Sequence, residues 1–228
     1  MELLLDTGIF PIVLTLVAFQ VGRMCQAKWK LALFNPILIG MLLVATFLLA
    51  TGMDTAAYTA GTAKLAWLTT PATVSLAIPM YEQMRALLKN GKAIAIGVAS
   101  GAVACLVFLL VAGTLVKLDP VLMASLLPKS VTAAIGVPLS TLSGGLGGIT
   151  AVAICMTGIL ANILGASLCR IFRITHPVAQ GVAFGTSGHV IGTAKASELD
   201  PLTGAVSSLS LVVAGLLTAV LLPLILAL

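Results

Sequence analysis

Apolar residues run along this chain without the alternation that marks a strand, and polar residues cut the runs at a few places. Uncharged stretches cover 31–53, 93–116, 130–169 and 201–228. About 20 predominantly apolar residues cross roughly 30 Å of hydrocarbon as a helix, so three of these stretches fit one crossing each and 130–169 fits nearly two. Divided at their polar punctuation, they give hydrophobic segments at 7–22, 31–53, 65–84, 93–116, 119–141, 146–169, 177–196 and 202–228. A membrane barrel would alternate polar and apolar residues in segments of about ten. The predicted fold is therefore all-α, a polytopic membrane protein of about 7–8 hydrophobic segments.

Composition strengthens this picture. Hydrophobic residues make up 60% of the 228 and charged residues 8%, against about a quarter charged in soluble domains. Mean hydropathy is +1.18, which leaves too little polar residue to cover a wetted surface. The net charge of +5 comes with only 5% aromatic residues and no basic stripe interleaved with them. It reads as the Lys/Arg excess of cytoplasmic loops, and no nucleic-acid partner is expected. The first apolar stretch follows Glu2 and Asp6 rather than a basic leader, so it reads as a first helix and not a cleaved signal. Cys25, Cys105, Cys155 and Cys169 have no CxxC spacing and read as small packing residues; no metal and no cofactor is expected. No linker divides the chain, so one membrane domain, 1–228, is the economical reading, with halves at 30–117 and 118–228.

Basic residues set an orientation. Arg23, Lys28 and Lys30 fall in the first connection, Arg85, Lys89 and Lys92 in the third, and Arg170 and Arg173 in the sixth. An external N-terminus puts the first and third inside and the sixth on the wrong side if every segment crosses. A segment that enters and returns between Lys92 and Arg170 restores the rule. The candidate is 119–141, which carries Pro128, Lys129 and Pro138 among Ser, Thr and Gly. Irregular backbone at membrane depth is tolerated where protein or a water-filled cavity satisfies it.

Three polar patches interrupt the apolar runs. They are Thr69-Thr70-Pro71-Ala72-Thr73 with Pro79-Met80-Tyr81-Glu82; Leu127-Pro128-Lys129-Ser130-Val131-Thr132 with Pro138; and Gly185-Thr186-Ser187-Gly188-His189 with Gly192-Thr193-Ala194-Lys195. Structural breaks are expected at Pro36, Pro71, Pro79, Pro128 and Pro138. A helix starting at Pro71 or Pro128 would aim free N–H groups and a positive dipole end at an anion. With the Lys129 charge and nearby hydroxyls, that suits a carboxylate. Secondary transporters bind substrate between discontinuous helices in matching positions of inverted halves. Pro36 and Pro71 against Pro128 and Pro177 give such a repeat, at unequal spacing. The expected substrate contacts are Thr73, Lys129, Ser130, Thr132, Thr186, Ser187 and His189. The plainer alternatives stand beside these: Lys129 as a loop lysine reaching the interface, His189 as a packing residue, and the glycines as close-packing positions. Lys195 and Glu198 read as a solvated helix end. No GxSxG, HExxH, P-loop or strand-borne GxGxxG occurs, and no enzyme activity is expected.

The same patches resemble the LrgB/CidB family, which includes YohK-like bacterial proteins and part of the plant plastidic glycolate/glycerate transporter. The resemblance rests on Asn35-Pro36-Ile37-Leu38-Ile39, Pro71-Ala72-Thr73-Val74 with Pro79-Met80-Tyr81, Leu127 to Thr132, Gly185 to Lys195, and Gly204 to Leu209. The chain departs from the family pattern after Thr132, where Ala133-Ala134-Ile135-Gly136 stands in place of Thr-Pro-Ile-Ala, and at Ser187-Gly188 before His189. The resemblance implies the bacterial inner membrane, an oligomer, and a small LrgA/CidA-type membrane partner. Two functions go with it. One is a transporter or channel subunit for small monocarboxylates such as glycolate, glycerate or pyruvate. The other is an antiholin- or holin-like regulator of murein hydrolase activity and lysis with no substrate of its own. Holins need little more than oligomerising helices, so the Lys, His and hydroxyl-bearing breaks favour transport.

Overall fold

The computed structural model describes residues 8–29 and 34–226. Glu2, Asp6, Lys30 and the outer ends of segments 7–22, 31–53 and 202–228 lie outside these. The described residues are helical with no strand. They group into two compact units that divide between Ser75 and Leu76. Among the described residues four helices are long and apolar enough to cross a membrane: Ile9–Trp29, Gly91–Leu115, Gly147–Ile171 and Pro201–Leu226.

The first unit holds α1 (Ile9–Trp29), α2 (Pro36–Thr51), α3 (Thr55–Trp67) and α4 (Thr69–Ser75). Asn35 caps α2 by accepting from the Ile37 and Leu38 amides at 2.9 and 3.3 Å, and Pro36 occupies the first turn, where it removes no bond. The chain leaves α2 at Gly52, whose φ of 65° suits a residue without Cβ. α1 and α2 meet so closely that a Cβ on Gly22 would lie 2.6 Å from the Pro36 carbonyl oxygen.

The second unit begins with two short helices, α5 (Ala77–Glu82) and α6 (Met84–Lys89). The segment expected at 65–84 is therefore not one helix; it is divided among α3, α4 and α5. The reason lies in Pro71 and Pro79. Each is the third residue of a short helix, because a proline has no N–H to give to a preceding turn and disfavours helix in the residue before it.

Then come α7 (Gly91–Leu115), α8 (Pro120–Leu126), α9 (Ala133–Leu142), α10 (Gly147–Ile171), α11 (Pro177–Leu199) and α12 (Pro201–Leu226). α8 and α9 form the two limbs of a hairpin. Ser125 of α8 and Ser140 of α9 both reach Thr150 of α10, whose hydroxyl lies 2.9 Å from the Ser125 carbonyl and 2.7 Å from Ser140 Oγ. Fifteen residues of continuous helix would separate the two serines by about 22 Å. The turn between the limbs is 127–132. Pro128 lies in that turn and starts no helix, and Thr132 holds the N-cap position of α9. The expected break at Pro138 is also corrected: it sits inside α9 on the exposed side, so one missing donor is tolerated.

α11 is a second hairpin. Its backbone breaks at His189 (φ 42°, ψ −137°). A Cβ on Gly192 would lie 2.8 Å from the Phe184 carbonyl oxygen, and Phe184 shares a core cluster with Ala196. In a straight helix those pairs would be about 12 and 18 Å apart. The outbound limb, 177–188, runs alongside α12 in the same direction, Gly181 against Thr203 and Gly185 against Ser207 and Ser210. The return limb runs against it, with Thr193 Oγ1 2.8 Å from Ser207 Oγ and Ser197 packed on Gly204.

The approach to each hairpin repeats. α7 ends with Leu118 N donating to the Gly113 carbonyl and Lys117 at φ 53°; α10 ends with Ile174 N donating to the Cys169 carbonyl and Arg173 at φ 55°, both at 2.8 Å. This is the closure in which a left-handed residue follows the helix. A capped proline follows each: Asp119 accepts from Val121 N before the hairpin at Pro120, and His176 Nδ1 from Val178 N before the hairpin at Pro177. Lys117 and Arg173 are 56 residues apart (173 − 117), as are Gly91 and Gly147 (147 − 91).

The Thr150 hydroxyl is the tie between the first hairpin and α10, and losing a buried hydrogen bond of this kind costs about 1–3 kcal/mol. Thr150→Val should lower the thermal midpoint of the detergent-solubilised protein by several degrees. Thr157→Val, whose hydroxyl bonds only the Ala153 carbonyl of its own helix, should leave it close to that of the unsubstituted protein. Equal midpoints for the two variants would remove the tie from the account.

Candidate functional site

The two hairpins meet on α10. Ile154 is the shared point: its side chain fills the space over Gly136 of α9, where a Cβ would lie 2.7 Å from Ile154 Cδ1, and its carbonyl oxygen lies 2.9 Å from His189 Nε2. A carbonyl can only accept, so Nε2 carries the proton of that bond. His189 is 4% exposed and its ring packs against Gly158, where a Cβ would approach Cε1 to 2.6 Å. One turn along, the Asn162 amide donates to the Ile191 carbonyl at 3.3 Å. A non-glycine residue in this backbone region is strained by about 1–3 kcal/mol and persists only where its surroundings hold it. Here Ile154, Gly158 and Asn162 of α10 hold it.

Lys129 is half-buried at the tip of the first hairpin and donates to Ser130 Oγ at 3.2 Å. Among the described residues no carboxylate lies within ion-pair distance of it; the ion pair found there, Lys195–Glu198 at 2.8 Å, is at the far end of α11. Between the first tip and the second hairpin is a small cavity of ≈ 10 Å³, room for about one water. Its polar lining is Ser130, Thr186, Thr218 and Cys105; Ala102, Leu106, Leu127, Val131 and Ala214 complete it.

The residues expected at the site divide. Ser130 and Thr186 line the cavity, with Lys129 bonded to Ser130. Thr132 adjoins them, and its carbonyl accepts from the Gly136 amide at 2.8 Å. His189 fixes the second tip and does not line the cavity. Ser187 is exposed, donates to the Ala183 carbonyl at 2.6 Å, and borders an apolar groove with Phe184 and Gly165. Thr73 belongs to the first unit, is exposed, and donates to the Thr69 carbonyl at 2.8 Å, whereas every cavity residue belongs to the second. Thr218 and Cys105 escaped the sequence reading. Thr218 is the single polar residue in 211–226, a signal that was there to be read. No group of His, Cys, Asp or Glu among the described residues could hold a metal ion.

Long apolar helices with hairpins packed between them define a multi-pass helical membrane protein. More particularly, the chain belongs to the LrgB-like family, whose model matches residues 15–228. No solved structure matches it.

The seat of the second tip gives a direct test. Gly158→Ala forces a methyl into the imidazole and should destabilise the protein by about 1–3 kcal/mol. The tip should also loosen, so a cysteine introduced as Val190→Cys should react faster with a maleimide in the Gly158→Ala background. An unchanged rate would detach His189 from Gly158.

Proposed function

We propose that the protein is a transporter or channel subunit for small monocarboxylates (glycolate, glycerate, pyruvate or similar) in the bacterial inner membrane, acting with a small LrgA/CidA-type membrane protein. The observation that carries this reading is a small, partly polar cavity bordered by both hairpins, at which Ser130 is bonded to Lys129, a cation with no carboxylate partner among the described residues. An ionisable group held at membrane depth is costly and points to a substrate or ion path. A short carboxylate supplies the missing countercharge.

The repeated approach to the two hairpins supports an inverted repeat. A hairpin returns the chain to the face it entered from, so α7 and α10 cross in opposite directions and the hairpins enter from opposite faces. The first then begins at Lys117 outside and the second at Arg173 inside. Arg85, Lys89, Lys92, Arg170 and Arg173 all fall on the cytoplasmic face, in line with the positive-inside rule. A cavity with room for one water cannot hold even glycolate, so this arrangement corresponds to a closed state, and binding requires the tips to part.

Two experiments bear on this. In a background with the four native cysteines replaced, Ser143→Cys should react with an impermeant thiol reagent from outside intact cells, and Thr175→Cys only after the membrane is opened. External reaction at 175 would sink the inverted arrangement. Vesicle uptake of labelled glycolate, pyruvate and lactate, with and without the smaller partner, should be saturable. Lys129→Ala should reduce it at least thirtyfold, since removing one member of a buried charge pair costs about 2–5 kcal/mol. Absence of flux for all three acids would favour the lysis regulator instead, and normal flux in Lys129→Ala would remove Lys129 from the site.

A further inference from the structure

Hydroxyls inside apolar helices ordinarily donate to a carbonyl one turn back. Thr186 donates to Val182, Ser187 to Ala183, Thr193 to His189, Ser208 to Gly204 and Ser210 to Val206. Thr218 differs. It is 5% exposed, its hydroxyl has no hydrogen-bond partner among the described residues, and it borders the cavity between the hairpins. No buried side-chain oxygen among the described residues is sealed in without a partner, so Thr218 Oγ1 opens onto that cavity. A hydroxyl held this way is unfavourable unless something bonds it.

The cavity walls suggest what does. Ser130 of the first hairpin lines the cavity and accepts from the Lys129 ammonium, a pair that suits a carboxylate. Thr186 already donates to Val182 and retains acceptor capacity alone. Thr218, on α12, is free both to donate and to accept. The remaining walls are small or aliphatic: Ala102, Ala214, Leu106 and Val131. A short acid with its carboxylate at Lys129 would therefore present any oxygen on the adjacent carbon to Thr218.

We propose that Thr218 is a substrate contact that selects acids with a 2-hydroxy or 2-oxo oxygen over those without one. This rests on the transport reading. A site built to bond a substrate oxygen rejects the analogue lacking it far more strongly than an apolar wall rejects an extra group.

The test compares matched pairs, glycolate against acetate and lactate against propionate, as competitors of labelled uptake by the full chain in vesicles, with its partner where uptake requires one. The unsubstituted protein should favour the hydroxy acid by about tenfold or more. Thr218→Val keeps the shape and removes the hydroxyl; it should bring the ratio to about threefold or less by weakening the hydroxy acid much more than acetate. Thr218→Ser should retain most of the preference. If Thr218→Val does not assemble, Thr218→Ala carries the same expectation. A ratio preserved in the variant, or a loss shared equally by both acids, overturns the proposal, as does an unsubstituted protein that moves both acids alike. If the unsubstituted protein moves none of the acids, the transport reading falls and takes this inference with it.

Discussion

Inside a bilayer no water is on hand for a peptide group that leaves a helix, so each non-helical turn at depth must find its partners in the protein. The second unit answers to that constraint. Two hairpins turn inside it, and the groups their turns release are met by neighbouring helices. His189 is fixed to the Ile154 carbonyl, Asn162 bonds the Ile191 carbonyl, and Thr150 gathers the Ser125 carbonyl and Ser140 Oγ. α10 supplies all of these. It is the post on which both hairpins hang, and that explains why an otherwise apolar helix carries Thr150 and Asn162 where it does.

Close approach is the second requirement, because a bilayer supplies little hydrophobic drive between helices and association depends on contact and hydrogen bonding. Glycines provide it where the limbs touch. A Cβ on Gly145 would lie 2.8 Å from the Ser125 nitrogen, and one on Gly185 would fall within 3 Å of Ser207 and Ser210. Neither glycine is needed for its φ; each is needed for its missing side chain. The two requirements act together, since Thr193 reaches Ser207 only because Gly181 and Gly185 let α11 lie this close to α12.

How much of this could be read from the chain alone depends on which force set each element. Span-length runs such as Gly91–Leu115 and Pro201–Leu226 are dictated by hydrophobic length, which composition displays directly. The charge imbalance at Arg170 and Arg173 pointed to a returning segment at 119–141, and the hairpin of α8 and α9 lies there, because a topological constraint leaves its mark in the placement of basic residues. The second hairpin left no such mark. It starts and ends on one face within a stretch that passes for a single span, and its turn falls at His189, a residue whose propensity does not announce a break. Prolines were an uneven guide: Pro128 sits in the turn where a break was expected, though it starts no helix, while Pro138 passes through α9 on its exposed side. Of the site, Lys129, Ser130 and Thr186 were legible as polar residues beside Pro and Gly. Thr218 stands out as the one polar residue of 211–226, but a lone threonine in an apolar helix usually bonds its own backbone, and only the three-dimensional placement shows that this one does not.

The ties on the two hairpins are unequal, and that bears on how so small a cavity could open. The second hairpin is bound along its whole length: at its turn through His189 and the Asn162–Ile191 bond, and along its return limb through Thr193 and Ser207. The first is bound through its two limbs, where Ser125 and Ser140 meet Thr150, while its turn carries Lys129 bonded only to the neighbouring Ser130. Parting the tips by moving the second hairpin would break several buried hydrogen bonds, each costing about 1–3 kcal/mol to leave unmade. Moving the first would leave those bonds in place, and a bound carboxylate would give back part of the cost by pairing with Lys129. On the transport reading, opening therefore falls to the turn that also carries the charge. The Thr150 tie then has a second consequence, as the pivot about which that turn moves.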